Sequence, residues 1–161
     1  MLAQLPVAWH PNLPRKLLPL LHQAFSVWEG VAQRDQLRFK LEPDFPLKPD
    51  AFEGIVISAA AQTAVGRPYE VGKAQNQVVV KAGTPTLVHS HITLQLAPLI
   101  DAHLAPEALQ RRWLATLLHE LGHALGLEHV AYEQAILYYR GWQATTPAMA
   151  DVEAFKQLYP S

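Results

Sequence analysis

Cysteine is absent from the 161 residues. That excludes disulfides, thiolate metal ligands and a thiol nucleophile, while leaving the redox compartment open. No apolar run approaches the length of a membrane span. A strong charge of either sign is also missing: 13 Lys and Arg stand against 14 Asp and Glu, for a formal net charge of −1. Nothing therefore points to nucleic acid or to an anionic membrane surface as a partner. Repeats, low-complexity tracts and linkers are lacking. What is present is ordinary globular composition, half hydrophobic and 17% charged, in a length that suits one domain with a sizeable core over residues 1–161. Near the N-terminus, Lys16-Leu17-Leu18-Pro19-Leu20-Leu21 is too short and too interrupted for a secretory signal. A cytoplasmic protein is expected if this is the full length, and a secreted one if it is a mature form.

Against this plain background, His119-Glu120-Leu121-Gly122-His123-Ala124-Leu125-Gly126-Leu127-Glu128-His129 carries the pattern HExxHxxGxxH. Two imidazoles four residues apart on a helix project from one face, about one turn apart, and can share a metal ion. Glu120 lies on the same side, within reach of a water held by that metal. Gly126 can take a left-handed conformation, which lets the chain leave the helix and bring His129 back as a third ligand. Three neutral nitrogens and an open fourth position describe a catalytic zinc site rather than a closed structural one. With eight histidines in the chain, five fixed identities coincide by chance in about one such chain in ten thousand, so packed or surface histidines are a poor account of the pattern. The chemistry that follows is hydrolysis of an acyl bond, most plausibly a peptide, through a metal-bound water with Glu120 as general base and then acid.

The remaining chain reads as α+β. Residues 5–9 suggest a short first strand, with Pro6 demoting it to an edge or lead-in. Leu17, Leu18, Leu21, Ala24, Phe25, Trp28 and Val31 recur at helical spacing over about 15–32. Alternation predicts half-buried strands at 37–41 and 88–96, while the apolar run at 54–59 suits a more deeply buried strand and Val78-Val79-Val80 supplies another. Pro43, Pro46 and Pro49 mark a stiff surface connection. Pro106-Glu107 opens a long helix to about residue 125, and a last helix covers about 149–158.

HELGHALGLEH resembles the zinc-binding segment of the metzincin metallopeptidases, the matrixins in particular. Matrixins carry a tight turn, often Ala-Ile-Met-Tyr, shortly after the third His. Here Ala135-Ile136-Leu137-Tyr138 stands in that place, with Leu137 as the Met-turn equivalent. The stretch Thr146–Val152 and Leu158-Tyr159 resembles the closing matrixin helix. Trp28 and Ile55-Val56-Ile57 also sit where a matrixin has them. The similarity is specific over 113–159 and topological over 1–105. It implies a metzincin-like (zincin) fold: a small mixed sheet on an N-terminal helix and the metal-binding helix, then a C-terminal helix. An upper part would span about 1–129 and a lower part about 130–161. Leu is close to Met in volume, so its presence at 137 should be tolerated. The acidic, Gly-rich loops that hold calcium and structural zinc in vertebrate matrixins have no counterpart between Ser58 and Val88, so one zinc and no calcium are expected. Without cysteine, latency by a thiolate from within this chain is excluded.

The resemblance also implies a substrate mode. A peptide would lie extended along an edge strand, roughly 73–80. A pocket for the residue after the cleaved bond would lie between 115–118 and 138–143, with Ala115, Leu118, Tyr138 and Trp142 at its walls. Tyr139 stands two residues past Leu137, where astacins and serralysins have a Tyr that steadies the transition-state oxyanion, and it is a candidate helper or a mere packing residue. His89 and His91 share a strand face and could clamp a second metal, though such pairs are more often simply polar. His103, His10 and His22 read as surface residues, and Glu133 is a weak substitute for His129. The leading function is a zinc endopeptidase, expected to act as a monomer. The alternatives are a narrow-specificity peptidase or amidase, and a zinc-binding interaction module with little or no proteolysis. Retention of Glu120, which zinc binding alone does not need, argues against the last.

Overall fold

Short runs of β-branched residues fold as the middle of a mixed sheet. The computed structural model describes residues 4–33, 36–60, 71–96, 104–140 and 143–160. Its strands are β1 (Gln4–Trp9), β2 (Arg38–Leu41), β3 (Gly54–Ala59), β4 (Gly72–Lys81) and β5 (Thr84–Leu94), arranged β2-β1-β3-β5-β4. The first four run parallel, and β4 pairs antiparallel with β5 at one edge. The β4–β5 hairpin turns at Ala82 and Gly83, both at positive φ (49° and 79°), which suits a two-residue hairpin loop.

Of the two places expected for Pro6, an edge or a lead-in, the edge is contradicted: β1 lies between β2 and β3. The reason is local. Pairing with β3 begins only at Val7↔Ile55, so the N–H that proline lacks falls where the ladder has not started. Gly54 is needed just there, because a Cβ on it would collide with the Pro6 carbonyl oxygen.

One face of the sheet carries the helices α1 (Leu18–Val31), preceded by a 3-10 turn at Arg15–Leu17, and α2 (Pro106–Ala124). Val7, Ile55, Ile57, Ile92 and Leu94 meet Leu21, Phe25, Trp28, Leu117, Leu118 and Leu121 in one hydrophobic cluster. Trp28 is fully buried, and its indole N–H donates to the Leu118 carbonyl at 2.9 Å, which fixes α1 against α2. The other face of the sheet meets the proline-marked connection through Phe52, whose carbonyl accepts from His89 Nδ1 at 2.7 Å.

A third helix, α3 (Met149–Leu158), is tied to the turn at residues 135–137 by one carboxylate. Asp151 is fully buried and accepts the N–H groups of Ile136 (2.9 Å), Leu137 (3.0 Å) and Ala148 (2.8 Å). Its bond to Ala148 is half of a capping box; the other half is missing because alanine has no side-chain acceptor. Above that turn, the Leu137 side chain packs under Gly122 of α2.

Two predictions concern this packing. In a helix interior Ala is favoured over Gly by about 1 kcal/mol, but a Cβ at Gly122 would stand 2.5 Å from Leu137 Cδ2 and 2.8 Å from Trp28 Cζ2. Trp28 is pinned by its hydrogen bond and cannot withdraw, so crowding costing about 1–3 kcal/mol wins. Gly122→Ala is expected to lower the thermal midpoint, and a raised midpoint would refute the close packing. Asp151→Ala strands three N–H groups, each worth roughly 1–3 kcal/mol when buried. A loss of at least about 3 kcal/mol in urea unfolding is expected, with a loss under about 1 kcal/mol counting against the arrangement.

Candidate metal centre

The last turn of α2 and the chain just beyond it gather three histidines. His119 and His123 face the same way from the helix, the first buried and the second half-buried. The helix then stops in a Schellman motif. Gly126 sits at φ +90°, its N–H donates to the His123 carbonyl at 2.8 Å, and the Leu127 N–H reaches back to the Gly122 carbonyl at 3.0 Å. That reversal returns the chain so that exposed His129 joins the pair. The Nε2 atoms of His119, His123 and His129 lie 3.0, 3.1 and 3.2 Å from one another. Among the described residues this is the one group of three or more ligand side chains so gathered.

The tautomers show what these distances mean. His119 Nδ1 lies 2.7 Å from the Ile136 carbonyl, and His123 Nδ1 lies 2.8 Å from the Leu127 carbonyl. A carbonyl only accepts, so both Nδ1 atoms carry the hydrogen, and in the neutral rings both Nε2 atoms are bare lone pairs. Two lone pairs 3.0 Å apart do not hydrogen-bond to each other. A cation between them resolves the repulsion, and zinc at about 2.0–2.1 Å from each of three tetrahedral ligands would hold them roughly 3.3 Å apart. The donor set therefore fits zinc, with backbone carbonyls as the outer partners that orient it.

The support beneath is equally specific. Leu137, in the position where a Met was expected, is fully buried under Gly122. Its carbonyl accepts from Val130 N–H at 3.0 Å, holding the residue next to His129. Ile136, whose carbonyl orients His119, is itself held by Asp151. Glu120 is buried, and Gly72 of β4 lies against it, where a Cβ would meet Glu120 Cγ at 2.8 Å. Asn76 of the same strand donates from Nδ2 to the His123 carbonyl at 2.6 Å. Sequence reasoning gave Gly72, Asn76 and Asp151 no role. Nothing in the chain marks the first two, since small and polar residues on a strand are common.

The other expected residues are dispersed. Ala115 and Leu118 are fully buried, Leu118 within the core cluster, and Tyr138 is half-buried. Trp142 and His103 lie outside the described residues. Tyr139 is 53% exposed, with its ring 4.7 Å from that of Tyr138 and the Arg140 guanidinium 5.4 Å above it. A hydrogen bond that the Tyr138 phenol donates to Tyr139 is the main cause that holds it above its ordinary range. His89 and His91 are engaged separately, with Phe52 and with Ser58 Oγ (2.7 Å), and their rings are 6.4 Å apart. Glu128 and Glu133 are exposed. A hollow of about 440 Å³ between the β4–β5 hairpin and the ends of α2 and α3 is lined by Val78, Leu87, Leu125 and Tyr159 and holds none of the three histidines.

Burial, then the neighbouring His123, lowers the His119 pKa to about 4, outweighing the raising effect of the Ile136 carbonyl. Burial also lowers that of His123. Both rings are thus neutral and ready for a metal at neutral pH. Unfolded, they protonate below about 6.5, so between about 6.5 and 4 the unfolded chain binds more protons than the folded one. Stability of the metal-free protein is therefore fully present above about pH 6.5 and falls as the pH drops toward about 4. His119 accounts for a loss on the order of 3 kcal/mol. Urea midpoints of chelator-treated protein at pH 7.5, 6 and 5 should decline in that order, and a flat series would contradict the burial of His119.

Comparison with known proteins gives the fold and the family. The chain is similar in fold to archaemetzincin from Methanopyrus kandleri, with TM-score 0.63 and 13% identity over 97% of this chain and 94% of that one. It is also similar to high choriolytic enzyme 1, a hatching enzyme zinc-protease from Oryzias latipes (TM-score 0.52, 10% identity, 98% and 90% covered). Metalloproteinase-II from Bacteroides fragilis matches at TM-score 0.52 and 15% identity, over 94% of this chain and 52% of that one. At such identities the likeness is one of fold, and the fold is that of the metzincins. No curated protein sequence matches the chain. The matrixin family model (Peptidase M10) matches residues 14–160, nearly the whole chain, and the protein belongs to the matrixin family of zinc metallopeptidases.

Proposed function

We propose that the chain is a matrixin-like endopeptidase that cleaves internal peptide bonds, with one catalytic zinc on His119, His123 and His129 and with Glu120 as general base and acid. The observation that carries this reading is the convergence of three Nε2 atoms at 3.0–3.2 Å beside a buried glutamate. Zinc bound there supplies Lewis acidity toward a water and toward the peptide carbonyl. Glu120 takes the proton from the attacking water and returns it to the leaving amine. Gly72, lying against Glu120, keeps that carboxylate's stem in one place.

The substrate is a peptide in extended form. Among the described residues β4 is the last strand in the sheet order, which makes the alternate backbone N–H and C=O groups of its outer side the place for a peptide to pair as an added strand. Because Gly72 of that strand touches Glu120, a peptide bound there passes beside the histidines. One hydrophobic cluster takes in residues from Val7 to Phe155, which supports a single catalytic unit over 1–161 that acts as a monomer. No helix among the described residues is long and apolar enough to cross a membrane.

Glu120→Gln, which keeps the side-chain volume, is expected to retain one zinc per chain and to lose roughly 10²–10⁴-fold in kcat/KM on a quenched-fluorescence peptide library. Wild-type activity in that variant would remove Glu120 from the mechanism. Stripping zinc with a chelator should abolish cleavage and lower the thermal midpoint, both restored by stoichiometric zinc. Protein purified without chelators that carries no metal and is not stabilised by added zinc would sink the proposal.

A further inference from the structure

The edge strand and the metal-binding helix touch at two points, and the second is a polar bridge. On β4, Gly72, Ala74 and Asn76 pair with Leu94, Ile92 and Ser90 of β5, so these three alternate residues share the helix-side face of the sheet. Gly72 lies against Glu120, and Ala74 packs on the core. Asn76 reaches the His123 carbonyl at 2.6 Å from Nδ2, while its Oδ1 lies 2.7 Å from Ser90 Oγ. Ser90 is only 1% exposed. The amide has one consistent orientation. The His123 carbonyl cannot donate, so nitrogen must face it, and the buried Ser90 hydroxyl then donates to the oxygen.

That carbonyl belongs to a metal-ligating residue and sits at the point where the helix ends, where it also accepts the Gly126 N–H at 2.8 Å. Two small residues, Gly72 and Ala74, let α2 come close to the strand, and the Asn76 bridge fixes how close and in what register. Just past it, pairing with β5 shifts register between Gln77 and Val78.

Resting on the reading of β4 as the peptide-binding edge, we propose that Asn76, oriented by Ser90, is a positioning residue that sets the peptide-binding strand against the metal-bearing turn of α2. It touches neither peptide nor zinc. Its effect is on where the reacting carbonyl lies relative to Glu120 and the three histidines, and a displacement of about 1 Å can cost on the order of 10²-fold in rate. Binding along the strand edge uses main-chain groups that the substitution leaves intact, so KM is expected to change little.

The test uses Asn76→Asp, which keeps the size but cannot donate to the His123 carbonyl, together with the milder Ser90→Ala. Both are measured as full-length, zinc-loaded protein well below their thermal midpoints. Expected are one zinc per chain, a kcat at least tenfold lower in Asn76→Asp with KM within about twofold of wild type, and a smaller fall in kcat in Ser90→Ala. Zinc affinity, from competition with a chromophoric chelator, is expected to weaken several-fold in Asn76→Asp because the turn after α2 loses an anchor. A purely structural bridge would lower the midpoint and move neither quantity. Asn76→Asp with wild-type kcat and wild-type zinc affinity overturns the proposal. A wild-type protein that cuts no peptide defeats the endopeptidase reading instead, and the chelator competition then decides the bridge by itself.

Discussion

Everything at this centre depends on how the turn at residues 135–137 is held between two helices. A buried carboxylate from α3 takes two of its N–H groups, and the carbonyl of Ile136 takes the proton-bearing nitrogen of His119. Leu137 fills the space that Gly122 leaves open, and its carbonyl holds the residue beside His129. A turn of three residues thus orients one ligand directly and a second through its neighbour. Such a segment cannot drift without stranding buried polar groups, which is what makes the histidine geometry rigid before any metal arrives.

The same logic explains a Leu where relatives have Met. The position needs an apolar side chain of a certain volume against the underside of the helix, and it donates nothing to the metal. Fixing comes from main-chain hydrogen bonds, which do not depend on the side chain. Burial then does a second job by keeping His119 and His123 neutral, so their lone pairs are available at neutral pH.

A second constraint comes from the sheet. β4 is an edge strand with little alternation and several polar residues, yet its helix-side face meets α2 at Glu120 and at the His123 carbonyl. The element that offers an open edge is therefore the one braced against the reacting groups. The contacts between this strand and α2 are thus short and local, at 2.6 Å in the case of Asn76 and the His123 carbonyl.

Much of the site was legible in the chain. The spacing of His119, His123 and His129 around Gly126 fixes three ligands by helix periodicity and one left-handed residue, both of which are local properties. The strand around Ile92–Leu94, the Trp28 helix and the long α2 were legible because burial of one face imposes a period on the sequence, and the strand around Ile55–Ile57 because burial on both faces leaves an unbroken apolar run. Pro6 misled because a missing N–H matters only where a neighbour needs it, and that depends on pairing register. Gly72 and Asn76 carry no local signature, and Asp151 shows locally only as the third residue of a helix. Their roles arise from contacts across 14 to 48 residues of sequence. The sequence alone determined which atoms can hold a metal and which carboxylate stands next to the first of them, because a helix sets those relations within eleven residues. Only tertiary structure decided what holds these groups still and which strand lies beside them, because hydrogen bonds and close packing between distant segments exist only once the chain has folded.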